Sequence, residues 1–208
     1  SRAVGIICPI GFLMGVIIAF ETALVAQIFG AVIFVVNGIG IAMTRELGPL
    51  MTAILFAGRS GSAFAAQLGT QKVNEELNAL TTFGLSPMYF LVVPRLIASS
   101  LVVPLLSVFA TILGILGGGL VMAMYDITYT QFYVQLLKSV TVTDIVFGLV
   151  KAVIFGFVIA LIGCQCGMNT SAGAAAVGSS TTKSVVKSII WIVVIDGAAA
   201  LLTNRLGI

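Results

Sequence analysis

Between Val4 and Met43 the sequence holds a single charged residue, Glu21. So long an apolar stretch matches the demand of a bilayer, whose hydrocarbon of about 30 Å is crossed by about 20 apolar residues in a helix. The rest of the chain follows suit. Of its 208 residues 60% are hydrophobic and 8% are charged, against roughly a quarter charged in soluble domains. A surface so poor in charge does not stay dispersed in water. The sequence is therefore read as an all-α integral membrane protein of about five transmembrane helices, with residues 1–208 forming a single transmembrane domain and no part folding as a soluble one.

The first helix is expected at about 6–27, with a turn near Gln27 to Gly30, and the second at about 33–66, carrying Arg45, Glu46 and Arg59. Pro49 removes a backbone donor and predicts a kink there. The second helix exceeds what a bilayer requires, so one end should project. Along it Ala53, Ala57, Gly61, Ala65 and Gly69 fall every fourth residue, a stripe along which backbones approach closely; Gly11 with Gly15 and Gly114 with Gly118 repeat the spacing. In lipid, helices associate through such contact, either within the chain or at a subunit interface.

Over 69–87 the apolar positions Val73, Leu77, Leu80 and Phe83 recur at helical spacing opposite Lys72, Glu75, Glu76 and Asn78, which predicts a short amphipathic helix, at about 70–82, outside the hydrocarbon. A third span is expected at about 95–124, entered through Pro94 and bent near Pro104, and then an interfacial loop over 125–143 whose Tyr129 and Tyr133 sit at headgroup depth. The fourth span is expected at about 144–167. A small-residue loop over 168–182 then leads past Lys183 and Lys187 into the fifth, at about 188–204. Cytoplasmic loops carry the excess of Lys and Arg. Arg2, Lys72, Arg95, Lys183 and Lys187, with Arg59 adding to them, outweigh Lys138 and Arg205, which puts the amino terminus in the cytoplasm and the carboxyl terminus outside.

Ten Lys and Arg against seven acids give a net charge of +3, too thin for the basic face that nucleic acid requires. There is no His, and Cys8, Cys164 and Cys166 are too few for the usual zinc sets, so no metal is expected and the cysteines read as small packing residues. Gly178 to Ser184, GSSTTKS, imitates a phosphate loop but has Thr182 in place of the second glycine and no strand before it. No nucleophile and base stand out either, so the chain is not read as an enzyme. Charges at membrane depth are more telling, since each costs about 2.5–3.5 kcal/mol to insert even on a lenient scale. Glu21, Arg45, Glu46, Lys151 and Asp196 are of this kind. Arg45 and Glu46 are adjacent, diverge by roughly 100°, and cannot simply neutralise each other. They form either a packing pair such as Glu46 with Lys151 or a polar patch in a substrate cavity; Asp196 equally fits bonding to the backbone of a neighbouring helix.

RELGP at Arg45–Pro49, AGR at Ala57–Arg59, GT at Gly69–Thr70 and EE-x-x-AL at Glu75–Leu80 together resemble the signature of the MlaE/YrbE permeases, the membrane subunits of MCE-type ABC lipid transporters. The resemblance runs from about Gly11 to Leu206. It implies a homodimeric permease in the bacterial inner membrane that moves phospholipid to a periplasmic MCE-domain hexamer, maintaining outer-membrane lipid asymmetry. A cytoplasmic ABC ATPase dimer, carrying the ATP and magnesium, and a small STAS-domain protein are the other implied partners; this chain itself carries no cofactor. Arg45, Glu46 and Lys151, with Glu21, match positions of the lipid cavity. The segment with Lys72, Asn74, Glu75, Glu76, Leu77 and Leu80 matches the coupling helix that docks on the ATPase. Gln71 departs from a position where Met is common, and Glu21 from one where Gln is frequent. The interfacial segment that precedes the first span in the family is not expected within this chain. An ion-coupled secondary transporter using Glu21, Glu46 and Asp196 is the alternative, and a scaffold for the MCE ring a further one.

Overall fold

A computed structural model describes residues 4–206; Arg2, counted in the charge tally, lies outside them. The described residues form seven helices and no strand: α1 (Val4–Ile28), α2 (Ile33–Val73), α3 (Glu76–Thr82), α4 (Met88–Ala123), α5 (Tyr129–Ser139), α6 (Val142–Met168) and α7 (Ala174–Leu206). Of these, α1, α2, α4, α6 and α7 are long and apolar enough to cross a membrane. The all-α architecture and the five spans expected from composition are thus present.

Four boundaries differ from expectation, each for a local reason. The helix expected over 70–82 is divided: Val73 closes α2, Glu75 adopts a left-handed conformation (φ 62°), and α3 starts at Glu76. Asn74 at the end of α2 suits that break, because a short polar side chain favours helix termini over helix interiors. The loop expected over 125–143 contains α5. Thr128 caps α5, and its N–H donates to Gln131 Oε1 at 3.2 Å, completing a capping box that starts the helix. The fifth span begins not at 188 but at Ala174, because the alanines after Gly173 are strong helix formers, and the weaker formers Thr181 and Thr182 are accommodated with their hydroxyls turned back onto the Gly178 carbonyl. GSSTTKS is thereby helical throughout, which removes the converging amides of a phosphate loop. Finally, α4 starts at Met88 rather than 95, with a π-helical turn over Met88–Val92 just before Pro94. The same pattern, a π turn over Ala42–Leu47, precedes Pro49 in α2. A proline cannot donate to the carbonyl four residues back, and a locally widened turn re-pairs its neighbours.

The chain divides into two compact units, Ser1–Thr52 with Pro104–Lys151 and Ala53–Val103 with Ala152–Ile208. In the first, Ile7, Gly11, Gly15, Ala19 and Ala23 form the buried stripe of α1. There α1 meets α4 backbone to backbone, so closely that a Cβ on Gly15 would lie 1.8 Å from the Gly114 carbonyl oxygen. The glycine pairs noted in the sequence pack against each other within one chain. Val35, Val36, Ile39 and Met43 of α2, Met122 of α4 and Phe132 of α5 complete this core.

In the second unit the stripe Ala53, Ala57, Gly61, Ala65 and Gly69 is wholly buried. A Cβ on Gly163 of α6 would lie 2.8 Å from the Gly61 carbonyl, and Ser184 of α7 donates its hydroxyl to that same carbonyl at 3.3 Å. The stripe is therefore taken up by α6 and α7 of the same chain. Cys164 and Cys166 lie in two separate apolar clusters, with Leu68 and with Ala65 respectively, as packing residues.

Candidate functional site

The first unit gathers four charges. On α2, Arg45 and Glu46 sit inside the π turn Ala42–Leu47, where the Gly48 N–H reaches back to the Met43 carbonyl. Thr111 of α4 donates its hydroxyl to that carbonyl as well, at 3.2 Å. Gly48 permits this approach, since a Cβ there would lie 2.1 Å from the Thr111 hydroxyl oxygen. On α6, Asp144, Phe147 and Lys151 follow at i, i+3 and i+7, which aligns them on one face over two turns.

Each α2 charge meets its own partner on that face. Arg45 Nη1 donates to Asp144 Oδ1 at 3.4 Å, and Lys151 Nζ pairs with Glu46 Oε2. Between the two pairs lies the Phe147 ring, 5.1 Å from the Arg45 guanidinium carbon and 5.5 Å from Lys151 Nζ, within range of cation–π attraction for both. Asp144 is further anchored by the Thr141 hydroxyl and N–H, at 2.6 and 3.0 Å. The side chain of Lys151 is 2% exposed whereas that of Glu46 is 34% exposed. The lysine is therefore enclosed, and Glu46 is the member of the pair that can also reach outward.

Beside the charges lies a cavity of about 290 Å³ with almost wholly apolar walls. Its lining includes Thr44 of α2, Thr111 and Ile112 of α4, Leu136 of α5, and Ile145 and Gly148 of α6. Thr44 adjoins Arg45 and Gly148 adjoins Phe147 in the chain, so cations and an apolar recess share one neighbourhood. That combination suits an amphiphile bearing an anionic head.

Of the residues singled out in the sequence, Arg45, Glu46 and Lys151 are brought together. Glu21 is not: it stands exposed on α1 and makes no ion pair among the described residues. Asp196 is half-buried along α7 in the other unit. Asp144 and Phe147 were not among the sequence candidates, although their i, i+3, i+7 register with Lys151 was readable.

The second presumed site, at the end of α2 and in α3, presents a polar exterior. Lys72, Asn74, Glu75 and Glu76 are exposed, Leu77 is buried and Leu80 half-buried. Lys72 Nζ donates to the Met168 carbonyl at 2.7 Å, tying the end of α2 to the end of α6. Asn78 donates to the Glu75 carboxylate, and Thr81 and Thr82 donate to the Asn78 carbonyl.

A sequence profile described as Permease MlaE matches residues 1–202. A probable ABC transporter permease protein of Synechocystis sp. is 38% identical over 193 residues, 92% of this chain and 73% of its own length. Another from Rickettsia typhi is 35% identical over 185 residues, 88% of this chain and 71% of its own. The chloroplastic protein TRIGALACTOSYLDIACYLGLYCEROL 1 of Arabidopsis thaliana is 38% identical over 159 residues, 76% of this chain and 45% of that protein.

Proposed function

We propose, from the premise that the chain belongs to the MlaE permease family and is the multi-pass, non-catalytic permease subunit of an ABC transporter, that its cargo is a phospholipid. The observation that carries this reading is the cluster of Arg45, Glu46, Asp144 and Lys151 around Phe147, next in the chain to Thr44 and Gly148 of an apolar cavity. Charges this costly in hydrocarbon border polar cargo or a partner. Here the cations would offset a phosphate while Asp144 and Glu46 hold them in place, and apolar walls would receive acyl tails. The Arabidopsis relative carries the name of a glycolipid, which favours a lipid cargo. Relatives that are ABC transporter permeases favour ATP as the driving force over an ion gradient.

In this reading two copies enclose the cargo path, with Glu21 facing it, in a bacterial inner membrane with the amino terminus cytoplasmic and the carboxyl terminus periplasmic. An ATPase dimer that holds ATP and magnesium docks on Lys72, Asn74 and α3, and its closure moves α2, the same helix that carries Arg45 and Glu46. A periplasmic MCE hexamer exchanges lipid with the permease, a small STAS-domain protein binds at the cytoplasmic face, and the transport maintains outer-membrane asymmetry.

The test is the charge swap Glu46→Lys with Lys151→Glu, which keeps an ion pair but reverses it. In the reconstituted complex, ATP-dependent transfer of a fluorescent phospholipid should fall by at least about tenfold, one pair's worth of differential binding, while assembly persists. Transfer at the unaltered rate would overturn the cargo reading. Separately, Glu75→Lys with Glu76→Lys should weaken stimulation of the ATPase; unchanged stimulation would move its docking surface elsewhere.

A further inference from the structure

A second cavity, in the other unit, has the opposite character. About 230 Å³ in volume, it is lined by Gln165 and Asn169 on the last turns of α6, by Ser171 in the connection, and by Ser179, Lys183 and Lys187 on α7. The α7 residues recur every fourth position, so their side chains share one face, and Gln165 and Asn169 share a face of α6 by the same spacing. We infer that this cavity binds a phosphate group, held by the Lys183 and Lys187 ammoniums and by the amide and hydroxyl donors around them.

Charge carries the argument first. No carboxylate lines the cavity. Neither Lys183 nor Lys187 makes an ion pair among the described residues, so no acid neutralises either. Two uncompensated cations in one recess attract an anion. The remaining polar lining consists of amides and hydroxyls, which donate as readily as they accept, and a lysine ammonium is a common point-charge partner for phosphate.

Size and depth narrow the ligand. Sites for drug-sized molecules run to about 300–1,000 Å³; this one has room for a small anionic group and not for an entire amphiphile. Lys187 is the last charge before the apolar run that starts at Ile189. With 33 residues, α7 is roughly 50 Å long, against about 30 Å of hydrocarbon, which leaves its amino-terminal turns at headgroup level. The phosphate of a lipid headgroup and free phosphate offer the same chemistry there. Recognition is by side chains alone, since the amides of Gly178 to Ser184 lie within a helix. The site shares no residue with the Arg45 cluster and requires no transport, so it stands or falls apart from the cargo reading.

The permease solubilised with its ATPase, without ATP, is titrated by native mass spectrometry with dihexanoyl phosphatidic acid, dihexanoylglycerol and inorganic phosphate. Phosphatidic acid should bind, dihexanoylglycerol should not, and Lys183→Gln with Lys187→Gln should weaken one equivalent per chain by about tenfold or more, as expected for two lysines at a charged surface. Lys183→Arg with Lys187→Arg should hold affinity within about threefold, since the charge is kept. Asn169→Asp, which places a carboxylate in the recess, should weaken binding independently of either lysine. Inorganic phosphate competing at that equivalent, with loss in the Gln variant, would support the site and name free phosphate as its ligand. Equal phosphatidic acid binding by the unaltered chain, the Gln variant and Asn169→Asp would overturn it.

Discussion

The two units solve the same problem, close packing in a solvent that gives helices no hydrophobic reason to associate, with different polar chemistry. In the unit of Ser1–Thr52 and Pro104–Lys151, α2 brings charges against α6 and each is met by an opposite charge, one of them a lysine 2% exposed. In the unit of Ala53–Val103 and Ala152–Ile208, the same helix presents a stripe of alanines and glycines, and beside that stripe stand hydroxyls: Ser184 on the Gly61 carbonyl and, nearby, Thr170 against Ser180 at 2.7 Å. Small hydroxyls let backbones approach and satisfy carbonyls cheaply. Ionised pairs bring specificity and a strong local field, and they lose far more when one partner is removed. Charge beside an apolar cavity is therefore fitted for a ligand, and the small-residue stripe of α2 is fitted to hold its neighbouring helices close.

The contrast can be broken most sharply at Glu46. Glu46→Leu takes the carboxylate from an enclosed ammonium and should cost about 3–5 kcal/mol of stability, read by denaturant unfolding of the detergent-solubilised chain. Glu46→Leu with Lys151→Met should recover most of that loss, because removing both charges removes the desolvation problem; no recovery would show that Lys151 serves packing through other contacts. Gly15→Ala comes next, at about 1–3 kcal/mol, since the new Cβ would meet the Gly114 carbonyl at 1.8 Å and neither backbone can step aside. Gly38→Ala in the same unit, with nothing within 4 Å of the added carbon, should lose nothing and gain up to about 1 kcal/mol from helix propensity. Equal melting temperatures for the two variants would refute the backbone contact. Gly61→Ala meets the Ile159 Cγ2 methyl at 3.0 Å, and should cost about 1 kcal/mol, since that β-branched, buried side chain has to give only a few tenths of an ångström. The smallest effect, about 0.6 kcal/mol, is expected for Ser184→Ala, which deletes one interhelical hydrogen bond. A loss at Ser184 as large as that at Glu46 would erase the difference between the units.

Much of this was readable in advance where one physical constraint dominated. The spans were legible because lipid demands apolar length, and Val4–Met43 offers it with one charge. Arg45, Glu46 and Lys151 stood out because ions are costly there. The helical start of α5 was readable too, as Thr128 and Gln131 at capping-box spacing, but the surrounding tyrosines drew the segment toward an interfacial loop. The early start of α7 was hidden by glycine and serine, which read as a loop until buried Ser180 and Ser184 find partners on Thr170 and Gly61.

Solvent preference, helix number and the cost of immersed charge follow from residue identities alone, because they depend on one segment at a time and on its transfer from water. Which helix each small-residue stripe meets, the pairing of Arg45 with Asp144 and of Glu46 with Lys151, and the convergence of Lys183 and Lys187 with Asn169 into one recess depend on segments distant in the chain. Those were decided only when the backbones approached closely enough for side chains from separate helices to share a surface.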